Sequence, residues 1–184
     1  MRNPITIMGF DLGKHLGWCK CACSLKPNLH MNVLDHGTIY LDQLTTERMK
    51  RDYNEILSPA RVRSMVYEES IRRLVDQGRY DCFAVEDVFC NPSRIPTFRS
   101  LTIYKEILEK IINLEKERRL YAIPPTVCKQ IISGYGHSDK TQVQQAILNN
   151  PAITVKKIEN ASEHEFDAIA IAFVYMSAYV MNNI

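Results

Sequence analysis

The sequence predicts an α/β domain in which helices flank a mixed sheet of five strands. Short apolar runs, typical of buried strands, fill the N-terminal part of the chain and recur between longer segments. Apolar residues in those longer segments repeat every three or four positions, which is helical spacing. With 184 residues and 46% hydrophobic content, the chain is expected to form a single domain, 1–184, whose core needs no disulfides.

The first three predicted strands form an antiparallel meander. Residues 6–10 have the composition of a buried strand, and residues 17–24 follow at hairpin spacing. Residues 33–40 resume the extended pattern, with a bend or bulge expected at 35–37. Residues 41–57 are polar, so a loop or an exposed helical turn is expected there.

Helices alternate with two further strands in the rest of the chain. A helix between two strands of one sheet makes those strands parallel, so the fourth and fifth strands should run parallel to the first. The apolar part of the last helix is shorter than the roughly 20 residues needed to span a bilayer. A buried helix is therefore expected. The predicted helices are 59–77, 98–119, 126–133, 139–149 and 162 to near the C-terminus, and the strands are 82–88 and 120–123.

The six cysteines do not predict a metal site. None forms a C-x-x-C pair, and Cys19, Cys21 and Cys23 alternate along one strand, where three thiols on one side act as small hydrophobes rather than zinc ligands. Asp11 interrupts the N-terminal apolar run, which argues against a signal peptide. We therefore expect a protein of a reducing cytoplasm that does not enter a membrane.

Acidic side chains stand at the ends of two predicted strands and at the start of the last helix. Asp11 and Glu86 end apolar strands, where a charge is costly unless it is compensated. His164 and Asp167 are three residues apart and share one helical face. Taken alone, a carboxylate at a strand end would more often cap a neighbouring loop. The small alanines after Asp167, however, allow the helix to approach the sheet closely. All four side chains can therefore converge.

Such convergence predicts a divalent metal site. Carboxylates that meet without a cation repel one another, and at least one pKa rises sharply. Oxygen-rich ligands select Mg²⁺ or Mn²⁺, and one imidazole shifts the preference toward Mn²⁺. Because two such ions about 4 Å apart can clamp a phosphodiester, the predicted reaction is metal-dependent phosphoester hydrolysis.

Five segments of the chain carry a family resemblance: residues 9–13 with Gly17 and Trp18, 84–89, 127–129, the GYGHSDKTQVQ block at 134–144, and 164–172. In this order they resemble the motifs of the RuvC family of Holliday junction resolvases. The resemblance implies an RNase H-like fold, a homodimer, and paired nicks in four-way DNA junctions. It implies that Asp11, Glu86, His164 and Asp167 hold two Mg²⁺ ions, for which Mn²⁺ would substitute, although many members have an aspartate in place of His164.

The resemblance also implies roles for basic and aromatic residues. Lys129 and Lys140 match residues near the scissile phosphate, where they would stabilise developing negative charge. Phe89 matches an aromatic beside the junction centre that could stack on a base, with core packing as the alternative. Residues 91–157 hold 11 Lys+Arg and 5 Asp+Glu, a net charge of +6 that suits a polyanion. Further candidate DNA contacts in this stretch are Arg94, Arg99 and Lys105.

Three other functions are consistent with parts of the pattern. A nuclease of the same fold could cut flaps and forks as readily as four-way junctions, and a non-catalytic module could bind branched DNA without cutting it. The Asp11–Gly13 turn also resembles the phosphate loop of actin-like ATPases, but those enzymes need two lobes, for which 184 residues are too few.

Overall fold

The computed structural model describes residues 4–52, 56–90, 92–156 and 158–182. Within them a six-stranded sheet in the order β5-β4-β1-β2-β3-β6 carries helices on both faces. The strands are β1 (Ile5–Asp11), β2 (His15–Ser24), β3 (His30–Tyr40), β4 (Cys82–Glu86), β5 (Leu120–Ile123) and β6 (Ile153–Val155). The helices are α1 (Leu41–Asp52), α2 (Pro59–Asp76), α3 (Ile95–Glu109), which continues as a π-helix over Lys110–Glu115, α4 (Pro125–Ser133), α5 (Lys140–Leu148) and α6 (Glu163–Asn182).

The centre of the sheet is the predicted antiparallel meander, and its register aligns three residues that matter for the site. Asp11 of β1 faces Gly17 of β2, and Gly17 in turn faces Thr38 of β3. These three residues form one row across the sheet. Strands β4 and β5 join on the other side of β1, both parallel as predicted.

Three local predictions need correction. The sheet has a sixth strand, β6, which pairs in parallel with β3. Three residues are too few to show the apolar pattern of a strand in the sequence, and only the pairing with β3 defines this strand. Residues 41–52 form a three-turn helix, α1, rather than a loop or single turn, anchored by buried Leu41 and Thr45. Helix α3 begins at Ile95 rather than 98, because Pro96 lies in its first turn, where a proline needs no N–H partner.

The bulge in the third strand also lies elsewhere than predicted. Strand β3 runs unbroken through 35–37, and the irregularity falls at Leu34, where Lys20 and Cys21 face Asp35 and Val33. A single extra residue kinks a strand without interrupting it.

The core has two layers, one on each face of the sheet. Helices α1, α2 and α3 cover one face, and α4, α5 and α6 cover the other. On the α6 side, Cys19, Cys21 and Cys23 are at most 1% exposed, so the prediction that these thiols pack as hydrophobes is confirmed. In the described parts of the chain, no helix combines the length and apolarity needed to cross a bilayer.

Helix α6 lies against the backbone of the sheet. A Cβ at Gly9 would stand 2.5 Å from the carbonyl oxygen of Ala168. A Cβ at Gly17 would overlap the carbonyl oxygen of His164. Only glycine permits this approach. The start of α6 is thereby held over the row of Asp11, Gly17 and Thr38.

Candidate active site

Two strand ends supply the first two carboxylates of the site. Asp11 is the last residue of β1 and is 7% exposed, while Glu86 is the last residue of β4 and is partly buried. The register pair Phe10–Val85 directly precedes both. Because β1 and β4 are parallel neighbours, their carboxyl ends lie at the same edge of the sheet, which is where open α/β sheets place ligand sites.

Helix α6 brings the other two predicted residues to this edge. Nδ1 of His164 lies 2.8 Å from Oδ2 of Asp11, at hydrogen-bond distance. When Asp11 is ionised, its carboxylate can only accept, so Nδ1 donates this hydrogen bond; in the neutral ring, Nε2 then keeps its lone pair. The hydrogen bond to Asp11 is the main reason that the pKa of His164 is raised. Asp167 follows one turn later on the same helix.

The pKa values of the three carboxylates are raised, first by burial and, for Glu86 and Asp167, also by neighbouring carboxylates. Burial above all, followed by the charges of Asp11 and Asp167, raises the pKa of Glu86 to about 8. Burial and then the charge of Asp11 raise the pKa of Asp167 to about 6. The pKa of Asp11 is raised by burial, although His164 opposes that shift. This site is therefore short of positive charge.

A divalent cation would supply that charge, and the donor set suits one. Among the described residues, no three acidic, imidazole or thiol side chains already converge closely enough to enclose an ion. The donors nevertheless have the right chemistry: carboxylates that a cation would keep ionised, and one imidazole. Asp11, Glu86 and Asp167 would bind through oxygen, and His164 would bind through Nε2.

The predicted lysines approach the site from α4 and α5. Lys129 is partly buried, and the positive charges of Lys129 and Lys140 both act to lower the pKa of Glu86. Lys140 is the first residue of α5, held there by a capping box between Asp139 and Gln142. Its Nζ lies 2.6 Å from Oε1 of Glu163, the first residue of α6. Lys140 is therefore paired with a carboxylate.

The predicted DNA-contact residues differ in their surroundings. Phe89 is 64% exposed, which argues against the core-packing alternative. Arg94 and Arg99 are also exposed. Lys105 is instead held 2.6 Å from Oδ1 of Asp87, with its side chain 24% exposed. Asn91 and Lys157, the two ends of the basic stretch, lie outside the described residues.

The sequence analysis did not single out several side chains that the fold brings to the site. Glu163 pairs with Lys140, and Asp87 pairs with Lys105. The ring of His15 lies 5.4 Å from that of His164, centroid to centroid. Glu163 and Asp87 adjoin the predicted ligands in sequence, and that adjacency was their only signal. His15 had none, because its proximity to α6 is tertiary.

Comparison with known proteins identifies one family. The family model described as crossover junction endodeoxyribonuclease RuvC matches residues 29–175. A protein of that name from Ruminiclostridium cellulolyticum is 30% identical over 138 residues, covering 71% of this chain and 78% of the relative. Another from Finegoldia magna is 28% identical over 116 residues, covering 61% of this chain and 65% of the relative, slightly under two thirds.

Solved structures show the same fold. RuvC from Thermus thermophilus superposes with a TM-score of 0.71 at 20% identity, covering 97% of this chain and 98% of that one. The same protein in complex with a Holliday junction substrate superposes with a TM-score of 0.67 at 17% identity, covering 96% of each chain. The RNase H-like fold is therefore confirmed.

Proposed function

This chain belongs to the RuvC family, and from that premise we propose that it is a metal-dependent endonuclease that resolves four-way DNA junctions by paired, symmetric nicks. One observation carries the proposal: at one edge of the sheet, Nδ1 of His164 lies 2.8 Å from Oδ2 of Asp11, and burial together with the charges of Asp11 and Asp167 raises the pKa of Glu86. The names of the relatives and the junction bound to Thermus thermophilus RuvC support the choice of substrate.

Two groups of residues would have different roles in hydrolysis. Asp11, Glu86, His164 and Asp167 would hold two Mg²⁺ ions, with Mn²⁺ able to substitute. When bound, these ions supply an activated water and stabilise the leaving oxygen. Residues Lys129 and Lys140 would balance the negative charge that develops on the phosphate. Lys140 is paired with Glu163, and because its ammonium group has three N–H donors it can also contact the phosphate when DNA binds.

Paired nicks require two active sites, so the proposal includes a homodimer. The resemblance to the RuvC family implies that the two copies pair through helix α3, which carries exposed apolar side chains at Ile95 (60%) and Ile103 (39%). Sedimentation of the free protein tests the dimer, which should be the main species at micromolar concentration.

The direct test of the function compares three DNA substrates. A mobile four-way junction, a flap and a linear duplex are incubated with the protein in Mg²⁺, in Mn²⁺ and in EDTA, and the nicks are mapped. Symmetric nicks in opposed strands of the junction, absent in EDTA, are expected. Equal cutting of flap and junction would support the broader branched-DNA nuclease instead, and duplex cut as fast as junction would refute both.

Phe89 offers a test of recognition at the junction centre. Replacing Phe89 with Ala is expected to weaken junction binding about 10-fold, because stacking of a base on an aromatic ring contributes roughly 1–3 kcal/mol. Fluorescence anisotropy in EDTA measures binding without cleavage. Affinity for linear duplex should not change, since a duplex has no unpaired base to stack. Equal losses on junction and duplex would contradict this role.

Arg99 and Lys105 form a matched pair for testing the basic surface. Arg99→Ala is expected to weaken DNA binding and to make the salt dependence shallower by about 0.9 in the slope of log K against log salt. Lys105→Ala should change the slope much less, because Asp87 already neutralises that lysine. Anisotropy titrations between low and physiological salt measure both. Equal slopes for the two variants would count against the distinction.

A further inference from the structure

A second cluster of polar side chains joins the start of α6 to β3. We call it the Glu165 cluster, made of His36, Thr38, Ser162 and Glu165. Glu165 is 9% exposed, and its Oε2 contacts Nδ1 of His36 in a short hydrogen bond. Thr38 donates from Oγ1 to Oε1 of Glu165 at 3.1 Å, and its hydroxyl lies 2.5 Å from that of Ser162.

Part of the cluster is a helix cap. The backbone N–H of Ser162 donates to Oε1 of Glu165 at 3.1 Å, and the backbone N–H of Glu165 donates to Oγ of Ser162 at 3.3 Å. This reciprocal pattern is a capping box, which normally lies at the surface. Here the carboxylate is buried, and burying a charge is costly unless it is fully paired. The contacts from β3 provide that pairing.

The register of the sheet shows what the β3 contacts could do for the site. Asp11, Gly17 and Thr38 form one row, and the first turn of α6 crosses it. At one end of the row His164 contacts Asp11, and at the other end Glu165 contacts Thr38. The backbone of His164 lies against Gly17 between them. One polar contact lies on each side of this close backbone contact, and together they restrain rotation of the first turn of α6.

We infer that the Glu165 cluster positions the catalytic end of α6, holding His164 and Asp167 in register with Asp11. Its members act through α6 rather than on substrate, so they are positioning residues. The inference rests on the proposed function, because it concerns the same site. None of the five segments that resemble the RuvC motifs includes His36 or Thr38.

The test separates the β3 contacts from the helix cap. Thr38→Val keeps the side-chain shape and leaves both hydrogen bonds of the capping box in place, but it removes the hydroxyl that contacts Glu165 and Ser162. Its turnover rate is expected to fall about 10- to 100-fold, as is common when a group that orients a ligand is lost. Junction affinity in EDTA should stay unchanged. Thr38→Ser, which retains the hydroxyl, should restore most of the rate.

A second readout needs no metal and no DNA. The ring-nitrogen NMR signals of His164 in metal-free protein, assigned by comparison with His164→Gln, report its hydrogen bond to Asp11. In Thr38→Val these signals should move toward those of a free imidazole. In Thr38→Ser they should match the wild type. This measurement remains informative even if the wild-type protein cuts no junction, an outcome that would refute the proposed function instead.

A cap variant far from the site controls for lost stability. Ser58→Ala removes the side chain that caps α2 by accepting from the N–H of Arg61, a loss comparable in kind. It should lower the melting temperature without changing turnover at a temperature where both proteins are folded. The inference is overturned if Thr38→Val matches wild type in rate and His164 signals, or loses no more rate than Ser58→Ala. If Thr38→Val does not fold, His36→Leu, which removes the Nδ1 contact, is judged by the same outcomes.

Discussion

Glu86→Gln is expected to reduce junction cleavage at least ~10³-fold while leaving junction binding in EDTA unchanged, because it removes an anionic donor from the metal site. The same change should raise the melting temperature of the metal-free protein near neutral pH. Burial and the neighbouring carboxylates raise the pKa of Glu86 to about 8, so its ionised form destabilises the fold, and a neutral amide avoids that cost. Cleavage assays and thermal melts with and without Mg²⁺ measure both effects.

The stability of the metal-free protein should also depend on pH through Glu86. A carboxyl group whose pKa is higher in the folded protein binds more protons there, so the metal-free wild type should lose stability as pH rises from about 4.5 to about 8. Glu86→Gln should flatten that decline. Mg²⁺ should stabilise the wild type and stabilise the variant less. Exposed Glu47 supplies the control, since Glu47→Gln should change neither cleavage nor the metal response.

The outcome also separates an enzyme from a binding module. Loss of metal-dependent cleavage with retained junction binding is what the nuclease predicts. A protein that binds branched DNA without cutting it would show no cleavage in the wild type to lose. Undiminished cleavage by Glu86→Gln would remove Glu86 from the site altogether.

Gly17→Ala should be the most damaging single-methyl change at the site. The new Cβ would overlap the carbonyl group of His164, so α6 must move away from β2. Overpacking of this kind costs about 3 kcal/mol, or roughly 6–12 °C in melting temperature for a chain of this size. Displacement of His164 from Asp11 should also lower turnover about 10²-fold. Thermal melts and single-turnover cleavage measure the two losses.

Gly78→Ala is the matched control. A Cβ at Gly78 would stand 3.3 Å from side-chain atoms of Lys20 and Tyr80, so these side chains need to shift by only a few tenths of an ångström. Gly78 lies between the end of α2 and the start of β4, whose opposite end carries Glu86. Little change in melting temperature or turnover is expected. If Gly17→Ala behaved like Gly78→Ala, the close contact between α6 and β2 would be wrong.

Much of the fold was predictable because its elements are long and periodic. The β1–β3 meander, α2, and the parallel β4 and β5 follow from apolar runs and punctuating prolines and glycines. Strand β6 was not predictable, since three residues carry no pattern and only pairing with β3 defines them. Helix α1 was missed for a related reason: its surface is mostly polar, and two buried residues, Leu41 and Thr45, anchor it.

The candidate site divides in the same way. Local patterns in the sequence already show which chemistry is available: Asp11 and Glu86 stand at strand ends, and His164 and Asp167 share one helical face before a run of alanines. These are local patterns, and each can be seen within a few residues. Their roles as ligands remain a prediction that the proposed experiments address.

Which charged groups compensate one another depends on how the helices pack on the sheet. Lys140 pairs with Glu163, Lys105 with Asp87, and Glu165 with His36, a partner 129 residues away in the chain. A charge finds its partner through the packing of α6 on the sheet, and that packing depends on the absence of a side chain at Gly17. Because Coulombic and hydrogen-bond energies depend on distance in space rather than along the chain, no local pattern could have revealed these pairs.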